Sequence, residues 1–308
     1  MARENIHNSN PNTLYRDVTD RIIADFEGGI IPWVQPWGAG GTDAALGLPR
    51  NARTRRTYSG INILLLWNAV IKGGYAAQSW LTFKQALELG GSVRKGERGW
   101  TVCFADSFIP NDERERARQD GSDPQSIPFL KRYTVFNIAQ CDGLPDHMLP
   151  SVPQASEREI IPRAEALIAA TGASFQIGGE IACYVPKLDA IRVPPQTAFG
   201  DQINYYRTAF HELGHWTGHA SRLARDLAAK FASNGYAREE LVAEMATAFV
   251  CATIGIVPTV RHADYIGNWL EVLKEDARAI FKAASMASKA ADYILVFEAK
   301  AIGAEAAA

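Results

Sequence analysis

One stretch narrows what this chain can fold into more than any other: Tyr205-Tyr206-Arg207-Thr208-Ala209-Phe210-His211-Glu212-Leu213-Gly214-His215. It contains the pattern HExxH. On an α-helix, positions i and i+4 lie one above the other on the same face. His211 and His215 therefore face one way and can share a metal ion. Glu212 is rotated by one residue and can reach a water on that ion. This is the logic of a zinc peptidase, in which two imidazoles hold the metal and a carboxylate takes a proton from the water. Ala209, Phe210, Leu213 and Trp216 make the helix largely apolar, so it is expected to be buried. Buried His and Glu side chains need partners.

Such a site needs a third protein ligand and an open position. His219 lies at i+8 from His211, about 12 Å along a continuing helix, too far to share the ion. The pattern HExxHxxGxxH finds its Gly at Gly218 but has Ser221 where the third His would stand. That leaves the segment from Arg238 to Phe249, where Leu241, Val242, Met245, Ala248 and Phe249 form an apolar helical stripe. Glu240 and Glu244 lie beside it at i and i+4. One suits a ligand and the other a group that orients a ligating His. Glu240 is taken as ligand and Glu244 as the outer partner, with the reverse open. Glu239 reads as a solvated acidic edge.

The chain has 308 residues, room for two domains. Its hydrophobic and charged fractions, 47% and 21%, are those of a globular protein. Cys103, Cys141, Cys183 and Cys251 are dispersed without a CxxC pair, so neither a disulfide framework nor a zinc ribbon is expected. The polar start, Met1 to Pro11, lacks a signal-peptide core. No apolar run reaches the roughly 18 residues of a membrane span. A cytoplasmic protein without membrane contact is expected.

In chain order, Leu14, Val18, Ile22 and Phe26 recur every four residues and predict an amphipathic helix over 12–27. A Gly-rich loop (38–47) and a basic loop (49–60) follow. Ile61 to Ile71 reads as a buried helix, and Ser79 as the cap of a short helix through Leu89. Trp100 to Ile109 and Phe129 to Ala139 read as strands, with a mobile loop at 110–128 between them. The segment 141–157, with Pro145, Pro150 and Pro153, reads as a linker. A helix is expected over 159–171. Strands are expected at 174–177, 180–185 and 190–193, with Gly178-Gly179 as a hairpin turn and 190–193 as the edge strand that an extended peptide would meet. The Glu240 helix ends near Gly255, and 262–298 forms one or two helices. The fold class is α+β in two domains, 1–140 and 158–308, joined by 141–157.

The halves differ in charge. Residues 1–140 hold 17 Lys and Arg against 14 Asp and Glu, and the remainder holds 15 against 20. From Ala44 to Leu87 there are six basic residues and no acid, and five of the seven Trp precede residue 101. Arginines with interleaved aromatics suit single-stranded nucleic acid, the cations tracking phosphates and the rings stacking bases. The candidates are Arg50, Arg53, Arg55, Arg56, Tyr58, Trp80, Lys95 and Arg98, with Trp33 and Trp37 close behind. Trp67 and Trp100 are expected in the core. Residues 1–140 are expected to bind single-stranded DNA on their own.

Several of these segments resemble the ArdC-type antirestriction family. Leu14-Tyr15, Ile30-Ile31-Pro32-Trp33, Arg56-Thr57-Tyr58-Ser59-Gly60-Ile61-Asn62, Trp80-Leu81-Thr82-Phe83 and Val93-Arg94-Lys95-Gly96-Glu97 are similar to its amino-terminal domain, which TraC-type plasmid primases share. Tyr206 to His219 and Glu239 to Glu244 are similar to its zincin-type metallopeptidase domain, which is also akin in plan to Spartan-type DNA-dependent proteases. The resemblance covers about residues 12–297. It implies an N-terminal α+β domain that binds single-stranded DNA and a C-terminal zincin-like domain with an HExxH helix. It also implies carriage on a conjugative plasmid and protection of incoming DNA from host restriction. Related HExxH…ExxA peptidases favour Glu240 as third ligand. The metal implied is one divalent ion, zinc by ligand type, with manganese the alternative. Two other readings are a metalloprotease acting on DNA-bound proteins and a non-catalytic DNA-binding protein stabilised by its metal.

Overall fold

The computed structural model describes residues 11–33, 46–123, 125–148, 157–227, 233–258 and 266–305. The Gly-rich loop up to residue 45, Trp37 and His262 lie outside them, as do residues 149–156 of the expected linker.

The amino-terminal half starts with helix α1 (Pro11–Glu27). Its i, i+4 residues Leu14, Val18, Ile22 and Phe26 are all buried. Strand β1 (Arg50–Asn51), helix α2 (Ile61–Gly73), strand β2 (Ser79–Leu81) and helix α3 (Phe83–Glu88) follow. Next come β3 (Ser92–Val93), β4 (Trp100–Phe108), helix α4 (Asn111–Asp120), β5 (Ile127–Asn137) and β6 (Cys141–Asp142). The sheet order is β1-β2-β5-β4, with β4 and β5 antiparallel from Trp100↔Val135 to Phe108↔Ile127. β3 and β6 form a separate pair. Helix α2 is locked onto β4 at Asn62, whose side chain donates to the Cys103 carbonyl and accepts from its N–H, both at 2.8 Å.

Two local expectations change here. The segment 110–128 contains α4, closed by Gly121 in the left-handed region at φ 71°. Ala117 is the buried apolar side chain of that helix, so no apolar period betrays it in the sequence. Ser79 lies in β2, and the cap of α3 is Thr82, which accepts from the Gln85 N–H while Gln85 reaches back to the Thr82 N–H.

The carboxy-terminal half comprises α5 (Glu157–Ala170), β7 (Ser174–Ile177), β8 (Cys183–Val185), β9 (Ala190–Val193), α6 (Ile203–Trp216), α7 (Asn234–Ile254), α8 (Ile266–Glu275) and α9 (Ala279–Glu305). Its sheet runs β7-β9-β8, with β7 parallel and β8 antiparallel to β9. This corrects two expectations. Gly178-Gly179 does not close a hairpin, because β7 and β8 both pair with β9 and not with each other. β9 is central rather than at the edge. Its Ala190, Ile191 and Val193 are buried, and β7 and β8 are the edge strands.

The core does not divide between the halves. One cluster of buried side chains runs from Leu14 to Ile294. Trp33 packs against Trp269 with ring centroids 6.1 Å apart, Tyr15 against Phe281 at 4.7 Å, and Trp67 of α2 against Phe249 of α7 at 5.6 Å. Polar ties cross as well. Thr19 Oγ1 donates to the Ala277 carbonyl at 2.7 Å, and the Gly60 N–H donates to Ser288 Oγ at 2.8 Å.

Candidate metal centre

Helix α6 is buried along nearly its whole length, including His211, Glu212, Leu213 and Gly214. It lies across α7 at Gly214, where an added Cβ would stand 3.3 Å from Ala243 Cα. The missing side chain thus lets the two helices approach closely, and that approach carries Glu240 to the histidines. Helix α7 is capped by Ser233, which accepts from the Tyr236 N–H, and ends at Gly255 with φ 94°.

His211 Nε2 and His215 Nε2 are 3.2 Å apart. Glu240 Oε2 stands 3.4 Å from the first, and Glu240 Oε1 stands 3.4 Å from the second. These three residues form the metal-competent cluster among the described residues. Glu244 sits behind His211, its Oε1 3.9 Å from Nδ1. Ligand atoms about 2.0–2.1 Å from an ion in tetrahedral array stand about 3.4 Å from one another. The observed spacings match that triangle, and the donor set of two imidazoles and a carboxylate suits a borderline divalent ion, so the residues fit a metal.

Glu239 departs from expectation. It is not a solvated edge. Its side chain is 11% exposed, accepts from Arg225 and lies 3.2 Å from His215 Nδ1. The sequence could have flagged it only by its place beside Glu240, since Arg225 is fourteen positions away.

The charges are coupled. Burial works against the His215 imidazolium, but hydrogen bonds and charge from Glu239 and Glu240 outweigh it and push its pKa up to about 10. Burial also disfavours the Glu240 carboxylate, yet the two histidines hold its pKa well below the usual range. A ligating imidazole must be neutral, so a divalent ion competes with the His215 proton. Metal uptake is therefore expected to release a proton and to tighten as pH rises toward about 10. Titration calorimetry in buffers of different ionisation enthalpy measures that release, and buffer-independent heats would contradict it.

A cleft of about 250 Å³ opens over the triangle. Glu212 lines it, with Ala182 and, from the β8 edge, Cys183 and Tyr184, and with Asp226, Leu227 and Tyr236. Of four residues that could donate to a developing oxyanion, Tyr236 faces the cleft. Tyr206 instead bonds Glu165 at 2.8 Å, Tyr205 is buried, and His219 pairs with Ser221 at 2.8 Å. The wall residues Cys183, Tyr184, Asp226 and Leu227 carry no motif and were invisible in the sequence.

The amino-terminal candidates separate by exposure. Arg50, Arg53, Arg55, Arg56, Lys95 and Arg98 are exposed and Tyr58 is half-buried. Arg53 is ion-paired with Glu88, and Arg55 sits in the left-handed region at φ 61°. Trp80 and Trp33 are fully buried, which corrects their assignment as stacking rings. In the short β2 all three side chains face neighbours, and Trp80 packs edge-on against Tyr75.

Comparison with known proteins agrees with this architecture. The chain aligns with the structure of the antirestriction ArdC protein from plasmid R388 at a TM-score of 0.77 and 40% identity, covering 93% of this chain and 98% of that one. This chain belongs to the ArdC-type antirestriction family. A Mn(II)-bound structure of the same R388 ArdC aligns with a TM-score of 0.76. The family description "N-terminal domain of anti-restriction factor ArdC" matches residues 12–136, and a zincin-like metallopeptidase description matches residues 162–286. An uncharacterised protein of Sinorhizobium fredii, y4eC, is 39% identical over 92% of both chains. DNA primase TraC of Escherichia coli is 38% identical over 94% of this chain, which spans 27% of that longer protein. No helix among the described residues is long and apolar enough to cross a membrane.

Proposed function

We propose that this ArdC-type protein protects incoming DNA from restriction by binding it as a single strand, and that it holds one divalent ion at His211, His215 and Glu240 in a peptidase-type cleft. The observation that carries the reading is the convergence of those ligand atoms within 4.8 Å, beneath a cleft lined by Glu212, in a chain of this family. Zinc suits the donor set, and the manganese of the R388 relative makes that ion the alternative. A bound ion of this kind polarises a carbonyl and brings the pKa of water toward about 7.

The chain's own groups do the rest. Glu212 accepts a proton from the attacking water at its carboxylate and hands it to the leaving amine. The outer edge of β8 offers backbone N–H and C=O groups along the cleft, so an extended peptide can pair there and be aligned over Glu212. Tyr236 stands on the wall as donor to the developing oxyanion. That edge favours a second reading, a protease acting on DNA-bound proteins.

For DNA, exposed Phe83 rather than buried Trp80 takes the stacking role. It is 54% exposed, meets Phe136 edge-on with centroids 6.4 Å apart, and has Leu87 one turn away. Basic loops flank this strip. Asn51 donates to Gln85 at 2.9 Å and ties the Arg53–Arg56 loop to α3. On the other side, the loop of Lys95 and Arg98 ends at Gly99, which lies against Phe136.

Replacing Arg53, Arg55 and Arg56 by alanine is expected to flatten the log–log salt dependence of oligonucleotide binding by about two units, at about 0.7 per contact. Phe83→Ala should instead cost roughly 1–3 kcal/mol and leave the slope unchanged. Titrating a labelled oligonucleotide with the full chain at several salt concentrations separates the two. Transfer of unmodified DNA into a restricting host tests the whole proposal. Protection unchanged in the arginine variant would overturn the DNA reading, and full protection by Glu212→Ala would remove hydrolysis from the mechanism.

A further inference from the structure

We propose that Glu239 and Arg225 form a positioning pair that sets the ring of His215 for its role as a metal ligand. The inference rests on the metal reading above and concerns residues that lie outside the ligand triangle.

The two nitrogens of His215 face opposite duties. Nε2 points into the triangle, 3.2 Å from His211 Nε2 and 3.4 Å from Glu240 Oε1. Nδ1 points away, 3.2 Å from Glu239 Oε1. A proton on Nδ1 donated to that carboxylate leaves the Nε2 lone pair for an ion and fixes the rotation of the ring. The approach of Glu239 to His215 is shorter than that of Glu244 to His211 Nδ1, which is 3.9 Å.

Glu239 is held in turn. Arg225 Nε donates to Oε2 at 3.0 Å and Nη2 donates to Oε1 at 2.7 Å, a two-pronged grip that removes the rotational freedom of the carboxylate. The same guanidinium donates from Nη2 to the Gly214 carbonyl at 2.7 Å and from Nη1 to Thr217 Oγ1 at 2.8 Å. Arg225 thus reads the last turn of α6 and the first turns of α7 together. It links the helix that bears His215 to the helix that bears Glu240. Its side chain is 5% exposed. Gly218 makes room for it, because a Cβ there would stand 3.0 Å from Arg225 Nη2.

A buried ion pair adds little net stability over apolar residues of similar shape, so stability alone is a weak reason for this arrangement. Orientation of a ligand is a stronger one. The loop that carries Arg225 continues into Asp226 and Leu227 on the cleft wall, so one short segment shapes both the wall and the ligand.

The test loads the full-length chain with Co(II) and with Zn(II), measuring affinity by competition with a chromophoric chelator and the visible absorption of the Co(II) form. Glu239→Ala and Arg225→Met are expected to weaken binding about 10–100-fold. They should also alter the Co(II) absorption at saturation, because a loosened His215 ring changes the ligand field. Glu239→Gln keeps an acceptor in place and should recover part of the affinity, and it serves if the alanine variant does not fold. Thermal unfolding of each variant without added metal reports folding separately. Wild-type affinity and absorption in both Glu239→Ala and Arg225→Met would overturn the proposal. So would weakened binding that tracks lost thermal stability with an unchanged spectrum, since that is a structural role alone. If the wild-type chain takes up neither ion, the metal reading itself fails and the positioning pair falls with it. If wild type binds, His211→Ala does not and Glu239→Ala binds normally, only the positioning pair falls.

Discussion

Glu240→Ala is expected to abolish stoichiometric uptake of a divalent ion, while Glu244→Ala weakens uptake without removing it. Glu240 places one oxygen 3.4 Å from each facing imidazole nitrogen, so its loss removes one corner of the ligand triangle and its negative charge. Two imidazoles 3.2 Å apart then remain without the third ligand of the triangle. Glu244 stands on the far side of His211, 3.9 Å from Nδ1, where it acts on the ion only through that ring. Losing such an outer group costs about 10–100-fold in affinity, and losing a ligand should exceed that range. Metal content after dialysis, with affinities from chelator competition, measures both. The reverse ranking would exchange the roles of the two carboxylates. Glu212→Gln belongs to the same series. It should keep the ion and lose any hydrolysis, because an amide cannot accept the proton. Full turnover in that variant would refute the general-base role.

Trp67→Ala is expected to destabilise the whole chain by about 3–5 kcal/mol, the usual range for a buried large aromatic. Trp67 is fully buried on α2, its Nε1 donates to the Gly47 carbonyl at 3.0 Å, and its ring packs on Phe249 of α7. That contact joins α2, itself locked onto β4, to the helix that bears Glu240. Because Trp33–Trp269 and Tyr15–Phe281 cross in the same way, one cooperative transition should carry both halves. Chemical denaturation followed by tryptophan fluorescence and by far-ultraviolet circular dichroism should give coincident curves, shifted together in the variant. Two transitions, with only one shifted, would contradict a shared core. The same contacts bear on a fragment of residues 1–140. It would expose Trp33 and the apolar face of α1, and it is not expected to keep the native fold. DNA binding is therefore best measured on the full chain.

Much of the fold was legible where periodicity is strong. The four-residue spacing from Leu14 to Phe26 gave α1, and the apolar run from Ile61 gave α2. The pairing of β4 with β5 falls on the two stretches rich in β-formers. Helix α4 was missed for the opposite reason. It is polar on nearly all sides and held by its Gly121 C-cap and by ion pairs such as Glu113–Arg116 at 3.0 Å, none of which leaves a hydrophobic signature. In β2, three residues are too few for an alternation to tell a core tryptophan from an exposed one. Helix α7 was found, but it is buried almost all round, so no apolar face orients its three glutamates.

By itself the sequence determined that two imidazoles and a carboxylate share a helical turn, because HExxH imposes that spacing on any α-helix. It also determined that the basic residues gather in one surface loop system near the start of the chain. The tertiary structure alone decided which glutamate meets the histidines. The approach of α6 and α7 at Gly214 turns Glu240 inward, leaves Glu244 behind His211 and sets Glu239 between His215 and Arg225. It also decided that β8, not β9, forms the cleft edge, and that the two halves share one core. The physical reason is the same in each case. Spacing along a helix or strand is local and can be read from residue order, whereas facing, edge position and burial depend on which distant element packs alongside.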